Sequence, residues 1–290
     1  MNNLENIFSR IYASLKKRSF IFIKKIRAKL LQRKKLNIVL SKKFAWEEDL
    51  RNGFKYLPHQ LTFAELSSVD LAKYDVVIPL NIEDVLYLNS VRNIIDTKTL
   101  PIPNKDVVHL CDDKYLFSQH LIEHGFEDYI PKINSSEKNY PFFLKKKKDT
   151  WSQNIHLISN FDQEQKLLKT INKDDYYRQE AIYGNYEYAT HILYDDNKII
   201  HSLTIKHNYT KHHHLPILGR DKHYQLITKS NHLTLFASIL EKIGYKGLCC
   251  IDYKIINNVP KIFEINPRLG GSAIPFLFIF MENYSNRNSI

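Results

Sequence analysis

Apolar residues along this chain come in short blocks whose spacing changes from one stretch to the next. Leu4, Ile7, Phe8, Ile11 and Leu15 fall at helical spacing, and Ile23, Ile26 and Leu30 resume it after a slip near Arg18. That pattern predicts an amphipathic helix or helix pair over 1–35. Leu36–Leu40 (LNIVL), Asp75–Leu80 (DVVIPL) and Val107–Leu110 are short β-rich runs that read as buried strands. A polar helix-like stretch follows the first of them, and Ile82–Val91 reads as a helix. Strands alternating with helices predict a small α/β domain with a mainly parallel sheet over 36–110.

The pattern changes beyond residue 110. Asp113–Gly125 reads as a helix capped by Asp112 or Asp113, with Leu116, His120 and Ile122 near one face and Gly125 as its stop. Strand patterns follow at Tyr140–Lys145, Arg178–Ile182, Tyr186–Tyr194 and Lys198–Ile205, with Asp195-Asp196-Asn197 as the turn between the last two. Helical patterns occupy 162–172 and Ser230–Ile243. Leu248–Ile256 and Pro260–Ile265 predict a final hairpin around Asn257-Asn258. Residues 111–290 therefore read as an antiparallel-rich α+β domain.

Composition adds exclusions. With 290 residues, 43% of them hydrophobic, the chain can bury a real core and is not a disordered segment. Its three cysteines include the neighbours Cys249 and Cys250, and no CxxC occurs, a usage that fits a reducing cytosol. No apolar run approaches the ~20 residues of a membrane span, and the first residues do not read as a signal peptide. The net charge is +11, yet residues 1–36 hold eleven Lys or Arg against Glu5 alone. Basic character is thus confined to one arm, which argues against nucleic acid as the partner. The arm can pack on the body, rest on anionic lipid or bind a partner.

Candidate chemistry concentrates in Ile251–Ser272. Asp252, Glu264 and Asn266 carry hard oxygen donors of the kind magnesium takes. Glu264 and Asn266 are two apart and share a strand face. Asp252 joins them if the hairpin loop has an odd residue count, such as Asn257–Val259; an even loop puts it on the other face. Arg268 can clamp a phosphate or carboxylate through two hydrogen bonds. Gly270-Gly271-Ser272 then offers free backbone N–H groups to an anion.

The ordered run D-x(11)-E-I-N-P-R-x-G-G-S resembles the metal-binding end of the ATP-grasp superfamily, particularly its carboxylate–amine ligases and carbamoyl-phosphate-synthetase-like branch. The resemblance implies a mixed α/β and α+β chain: two α+β subdomains gripping ATP, preceded by the small α/β domain and the basic helical arm. It implies ATP with Mg2+ or Mn2+, the metal on Asp252, Glu264 and Asn266, and Arg268 against the transferred phosphoryl group. Asp113-Lys114 at a helix start resembles another family feature and adds Lys114 to the nucleotide contacts. Pro141–Lys145 resembles the strand whose lysine meets the α- and β-phosphates, a role that falls on Lys145. Gln179–Gly184 followed by Glu187 resembles the hinge that holds adenine and ribose, which nominates Glu180, Ala181, Ile182 and Glu187.

Two departures stand out. The loop after Lys145 reads KKKDTWSQN, without the usual glycines, so Ser152 and Lys146–Lys148 are the candidates to reach phosphate. Cys250 stands where some members carry an arginine, and Lys206 is nominated as the replacement cation. A zinc site at His207 and His212–His214 is less well supported than a substrate-facing or solvated loop, and Arg220 shares that loop. The implied reaction activates a small-molecule carboxylate as an acyl phosphate and joins it to an amine. A short chain with a basic arm is similar to members in surface-polysaccharide pathways that amidate sugar acids, which would place it in the cytoplasm at the inner membrane face. Amino acids or peptides as substrates, a non-catalytic ATP-binding module, a membrane scaffold and a homodimer remain open.

Overall fold

The computed structural model describes residues 12, 14–23, 26, 35–95, 100–134, 139–149, 154–208 and 224–288. A helix, α1 (14–23), precedes a three-stranded parallel sheet of order β2-β1-β3, formed by β1 (Asn37–Ser41), β2 (Gln60–Ala64) and β3 (Val76–Ile78). The central strand β1 is covered on both sides, as parallel strands usually are. Ile38 and Leu40 face α2 (Phe44–Phe54), while Val39 joins a second core with α3 (Ile82–Ser90) and α5 (Lys105–Asp112). The short α4 (Arg92–Ile95) lies between those two helices in the chain.

One expectation fails in this region and another is incomplete. Val107–Leu110 is not a strand but part of α5. Asn104 caps that helix, its Oδ1 accepting the Val107 N–H at 2.9 Å, and Val107, Val108 and Cys111 bury one helical face. A four-residue apolar run is too short for its period to choose between helix and strand. The stretch expected to be helix-like does hold α2, but it also holds β2, the sheet's remaining strand.

Beyond it, α6 (Lys114–Glu123) starts at Asp113, whose carboxylate accepts the N–H groups of Tyr115 and Leu116 at 3.1 and 3.0 Å. Its buried face is Lys114, Phe117, Ser118 and Leu121, not the expected one: Leu116 and Ile122 are exposed. A second sheet, order β5-β4-β6, is antiparallel and consists of β4 (Phe142–Lys146), β5 (Ile155–Ile158) and β6 (Tyr176–Glu180), with α7 (Phe161–Leu168) against it.

The third sheet has the order β11-β10-β7-β8-β9. Its strands are β7 (Tyr186–Asp195), β8 (Lys198–Asn208), β9 (Tyr224–Thr228), β10 (Gly247–Ile256) and β11 (Val259–Asn266). Ile192, Tyr194, Cys249, Ile251 and Tyr253 point to α6 and α8 (Leu233–Lys242), where Phe236, Ile239 and Leu240 are fully buried. Each such aromatic or aliphatic side chain contributes about 1.5–3 kcal/mol on leaving water. The other face carries Leu193, Leu203, Ile205 and Leu248 against a 3-10 turn (Gly271–Phe276) and α9 (Leu277–Asn288). Toward β11 this apolar face gives way to charge.

Candidate active site

The β10–β11 hairpin turns through Asn257 and Asn258, both at positive φ (49° and 64°), the geometry of a two-residue primed turn. Ile256 pairs with Val259, so the loop count is even and the expected odd loop is absent. The register holds as far as Tyr253–Ile262, then skips Phe263, so that Asp252 pairs with Glu264 and Cys250 with Asn266. A one-residue bulge reverses which side chains share a face. Asp252, Glu264 and Asn266 do converge, through the bulge rather than through the loop.

Asn266 fixes their arrangement. Its Nδ2 donates to Asp252 Oδ2 and to Glu264 Oε1, each at 3.0 Å. Only the nitrogen end of an amide can donate to two carboxylates, which orients the group. The two acids are unequal. Burial, then repulsion from Glu264 and Glu187, pushes the Asp252 carboxyl well above its usual range. Burial also acts upward on Glu264, but Lys114 and Lys145 outweigh it and hold Glu264 below the usual value.

Two lysines from two elements close around these acids, and a third lies beside Glu187. Lys114, at the start of α6, places Nζ 3.2 Å from Glu264 Oε2 and donates to the Asp149 carbonyl at 2.7 Å. Lys145, on β4, is buried, donates to Gln179 Oε1 at 2.9 Å and sits 5.6 Å from the Phe263 ring centre. Burial pulls its amine down to about 8 against the attraction of Glu264. Lys254, two residues after Asp252, is buried and donates to the Ile182 carbonyl at 3.2 Å. Burial lowers it, while Glu187 holds its proton on.

Residues 181–185 join the second sheet to the third. Ala181 and Ile182 are buried there. Glu187 Oε2 is a buried acceptor with no hydrogen-bond partner among the described residues, and burial raises its carboxyl. The Glu180 side chain is exposed and accepts the Lys132 N–H at 3.1 Å, so only its backbone lies along this hinge.

The segment after β11 is pinned from below. Arg268 Nη1 donates to the Leu269 carbonyl at 3.0 Å, and its guanidinium lies 5.5 Å from the Trp46 ring centre. Lys43 Nζ approaches the same ring to 3.3 Å. Burial and then Arg268 lower the Lys43 amine to about 8. His191 holds Gly270 and Ser272: its Nδ1 accepts the Gly270 N–H at 3.4 Å, and its Nε2 meets Ser272 Oγ at 2.9 Å. Burial drives this imidazole down to about 3. It is therefore neutral, with the proton on Nε2, and Ser272 keeps its own hydroxyl proton for another acceptor.

Lys206 is a correction. It pairs across β7 with Tyr188 and lies 3.4 Å from the Tyr186 ring centre. That is the face opposite Glu187 and Asp252, because residues 187 and 207, not 206, are partners. Ser152, His212–His214 and Arg220 lie outside the described residues. Lys254, His191, Lys43 and Trp46 went unrecognised. For Lys254 a signal existed, since a lysine inside an apolar strand is rarely buried without a partner.

A divalent cation and a nucleotide suit this donor set. Two carboxylates aimed at one amide nitrogen present hard oxygens to a single point, and the unpartnered Glu187 oxygen calls for a donor. A family model for the ATP-grasp domain matches residues 111–272. No curated protein sequence matches. Among solved structures, D-alanine–D-alanine ligase from Bacillus anthracis superposes with a TM-score of 0.57 at 11% identity, covering 83% of this chain and 89% of that one. An L-amino acid ligase from Bacillus licheniformis gives 0.60 at 13%, covering 85% and 70%. Phosphoribosylamine–glycine ligase from Thermotoga maritima gives 0.61 at 12%, covering 86% and 75%. With its motifs assembled on the matching fold, this chain belongs to the ATP-grasp family, enzymes that use ATP with Mg2+ or Mn2+.

Proposed function

We propose that the chain is an ADP-forming carboxylate–amine ligase. The observation that carries this reading is the convergence of Asp252 and Glu264 on Asn266, 3.0 Å from each, beside Lys114 and Lys145. We assign the metal to Asp252, Glu264 and Asn266, whose amide would turn its oxygen toward the acids when the ion enters, the phosphates to Lys145 and Lys114, adenine to the backbone of 180–182 and ribose to Glu187. Bound magnesium would supply charge neutralisation along the phosphates.

The remaining work falls to side chains. A carboxylate oxygen attacks the γ-phosphorus of ATP, ADP departs, and an acyl phosphate is left. An amine then attacks the acyl carbon and expels phosphate, leaving an amide. Arg268 faces the charge that develops on the transferred group, and the Ser272 hydroxyl, aligned by His191, donates to the same region. Lys43, which shares Trp46 with Arg268, holds the acid's carboxylate for in-line attack. We further assign 36–110 and 111–290 as the units that meet the acid and the nucleotide.

For the acid we propose a sugar acid of surface-polysaccharide synthesis, amidated in the cytoplasm beside the membrane; the confinement of basic charge to residues 1–36 supports that setting. Amino acids are the second reading, supported by solved neighbours described as amino acid ligases. ATP, magnesium and paired acids and amines should be incubated with the protein, with ADP release and product mass as readouts. ADP formed only with uronic acids, and a product lighter than its parts by one water, would sustain the proposal. ADP formed only with amino acids moves the substrate to the second reading. No ADP with either class would leave a nucleotide-binding module.

A further inference from the structure

The helix α1 (14–23) packs on the body mainly through one side. Phe20 meets Phe276 edge to face at 5.9 Å, Lys17 Nζ lies 5.7 Å from that ring, and Ile21 packs on the same core. Leu15, Phe22 and Ile23 are 56%, 59% and 62% exposed, and the helical residues Tyr12 and Ile26 are 64% and 43% exposed. At the helical turn per residue these five fall within an arc of about 100°, opposite Phe20, Lys17 and Ile21. The exposed cations Lys16 and Arg18 flank the arc, one on each side. Tyr56 and Lys55 of the neighbouring loop line a groove with Phe22 and extend the same surface.

We propose that this face of α1 docks on an anionic lipid surface, lying in its plane. An apolar arc bordered by cations is the arrangement that sinks side chains among acyl chains while Lys and Arg meet headgroup phosphates. Charge selects lipid over a second copy of the chain. Residues 1–36 carry eleven Lys or Arg against one acid, so two such faces would repel, whereas a negatively charged bilayer attracts each. No helix among the described residues is long and apolar enough to cross a membrane, which agrees with a helix that rests on one. The inference does not depend on the ligase reading.

The test is sedimentation of the full chain with phosphatidylglycerol–phosphatidylcholine vesicles and with phosphatidylcholine alone. The wild type should pellet with the anionic vesicles only, and salt should release it. Phe22→Ser with Ile23→Ser should weaken binding at least tenfold, as should Lys16→Glu with Arg18→Glu. Melting and ADP release should stay unchanged, since these side chains are exposed. Asn266→Ala should leave vesicle binding intact, which separates this inference from the catalytic one. No wild-type binding, or binding unaltered in both double variants, overturns it. So does light scattering in which Phe22→Ser with Ile23→Ser converts a dimer to monomer while vesicles bind neither form.

Discussion

The β7–β8 and β10–β11 hairpins are built alike and serve opposite ends. Each turns on two residues at positive φ, Asp196-Asn197 and Asn257-Asn258. Each carries one extra residue, Ile200 in the first and Phe263 in the second, where the register shifts. At Phe263 the shift delivers Glu264 and Asn266 to the face of Asp252. At Ile200 it takes Lys206 away, because the register nearest the turn, continued unbroken, would pair Glu187 with Lys206 rather than with His207. A single inserted residue thus decides which charges meet the site, and equal turns guarantee nothing about the faces beyond them.

Asn266→Ala tests the comparison most severely. It removes the amide shared by Asp252 and Glu264 and leaves the register in place. Turnover is expected to fall about 10²–10³-fold, and normal rates would remove these residues from metal binding. Deleting Phe263 takes away the bulge instead. Glu264 then follows Ile262 directly and still falls opposite Asp252 in an unbroken ladder, so ADP release should fall far less than in Asn266→Ala. A loss as large would mean that the bulge shapes the site beyond setting its register.

Both bulges escaped the sequence reading for the same reason. The strands were legible because their apolar residues alternate, and the turns because asparagine and aspartate tolerate positive φ. Nothing in INNVPKIFEIN marks Phe263 as the residue left out of the ladder, for it is neither glycine nor proline and it is apolar like its neighbours. Asp252, Glu264 and Asn266 do share one face, but through the bulge and not through the odd loop expected for them. Lys206 was misplaced by the same blindness. Long-range partners were equally hidden: Lys254 and Ile182 are 72 residues apart, and only folding joins them.

Smaller effects sharpen the contrast. On the proposed assignment of phosphate to Lys145, its charge is what binds, and its amine is lowered to about 8. ADP affinity should therefore be greatest below that pH and decline above it, by up to about tenfold per pH unit for one linked proton. Lys145→Gln should weaken binding and flatten the profile; a profile unchanged in the variant would assign the pH dependence to another group. Gly270→Ala probes the floor under Arg268. Its new Cβ would stand 2.7 Å from His191 Cε1 and 2.8 Å from Cys250 Sγ, so a loss of about 1–3 kcal/mol is expected from overpacking, read as a lower melting temperature. Lys206→Met, on the far side of β8, should keep turnover within about twofold, as surface changes usually do.

The buried Lys254 bond to the Ile182 carbonyl has one more consequence. It fastens the connector between the second and third sheets to the strand that carries Asp252. A movement of the second sheet against the third would then hinge at this connector and carry Lys145, on β4, with it. On the proposed assignments, nucleotide exchange is expected to begin at the phosphate end, with the base the last part to leave and the first to arrive.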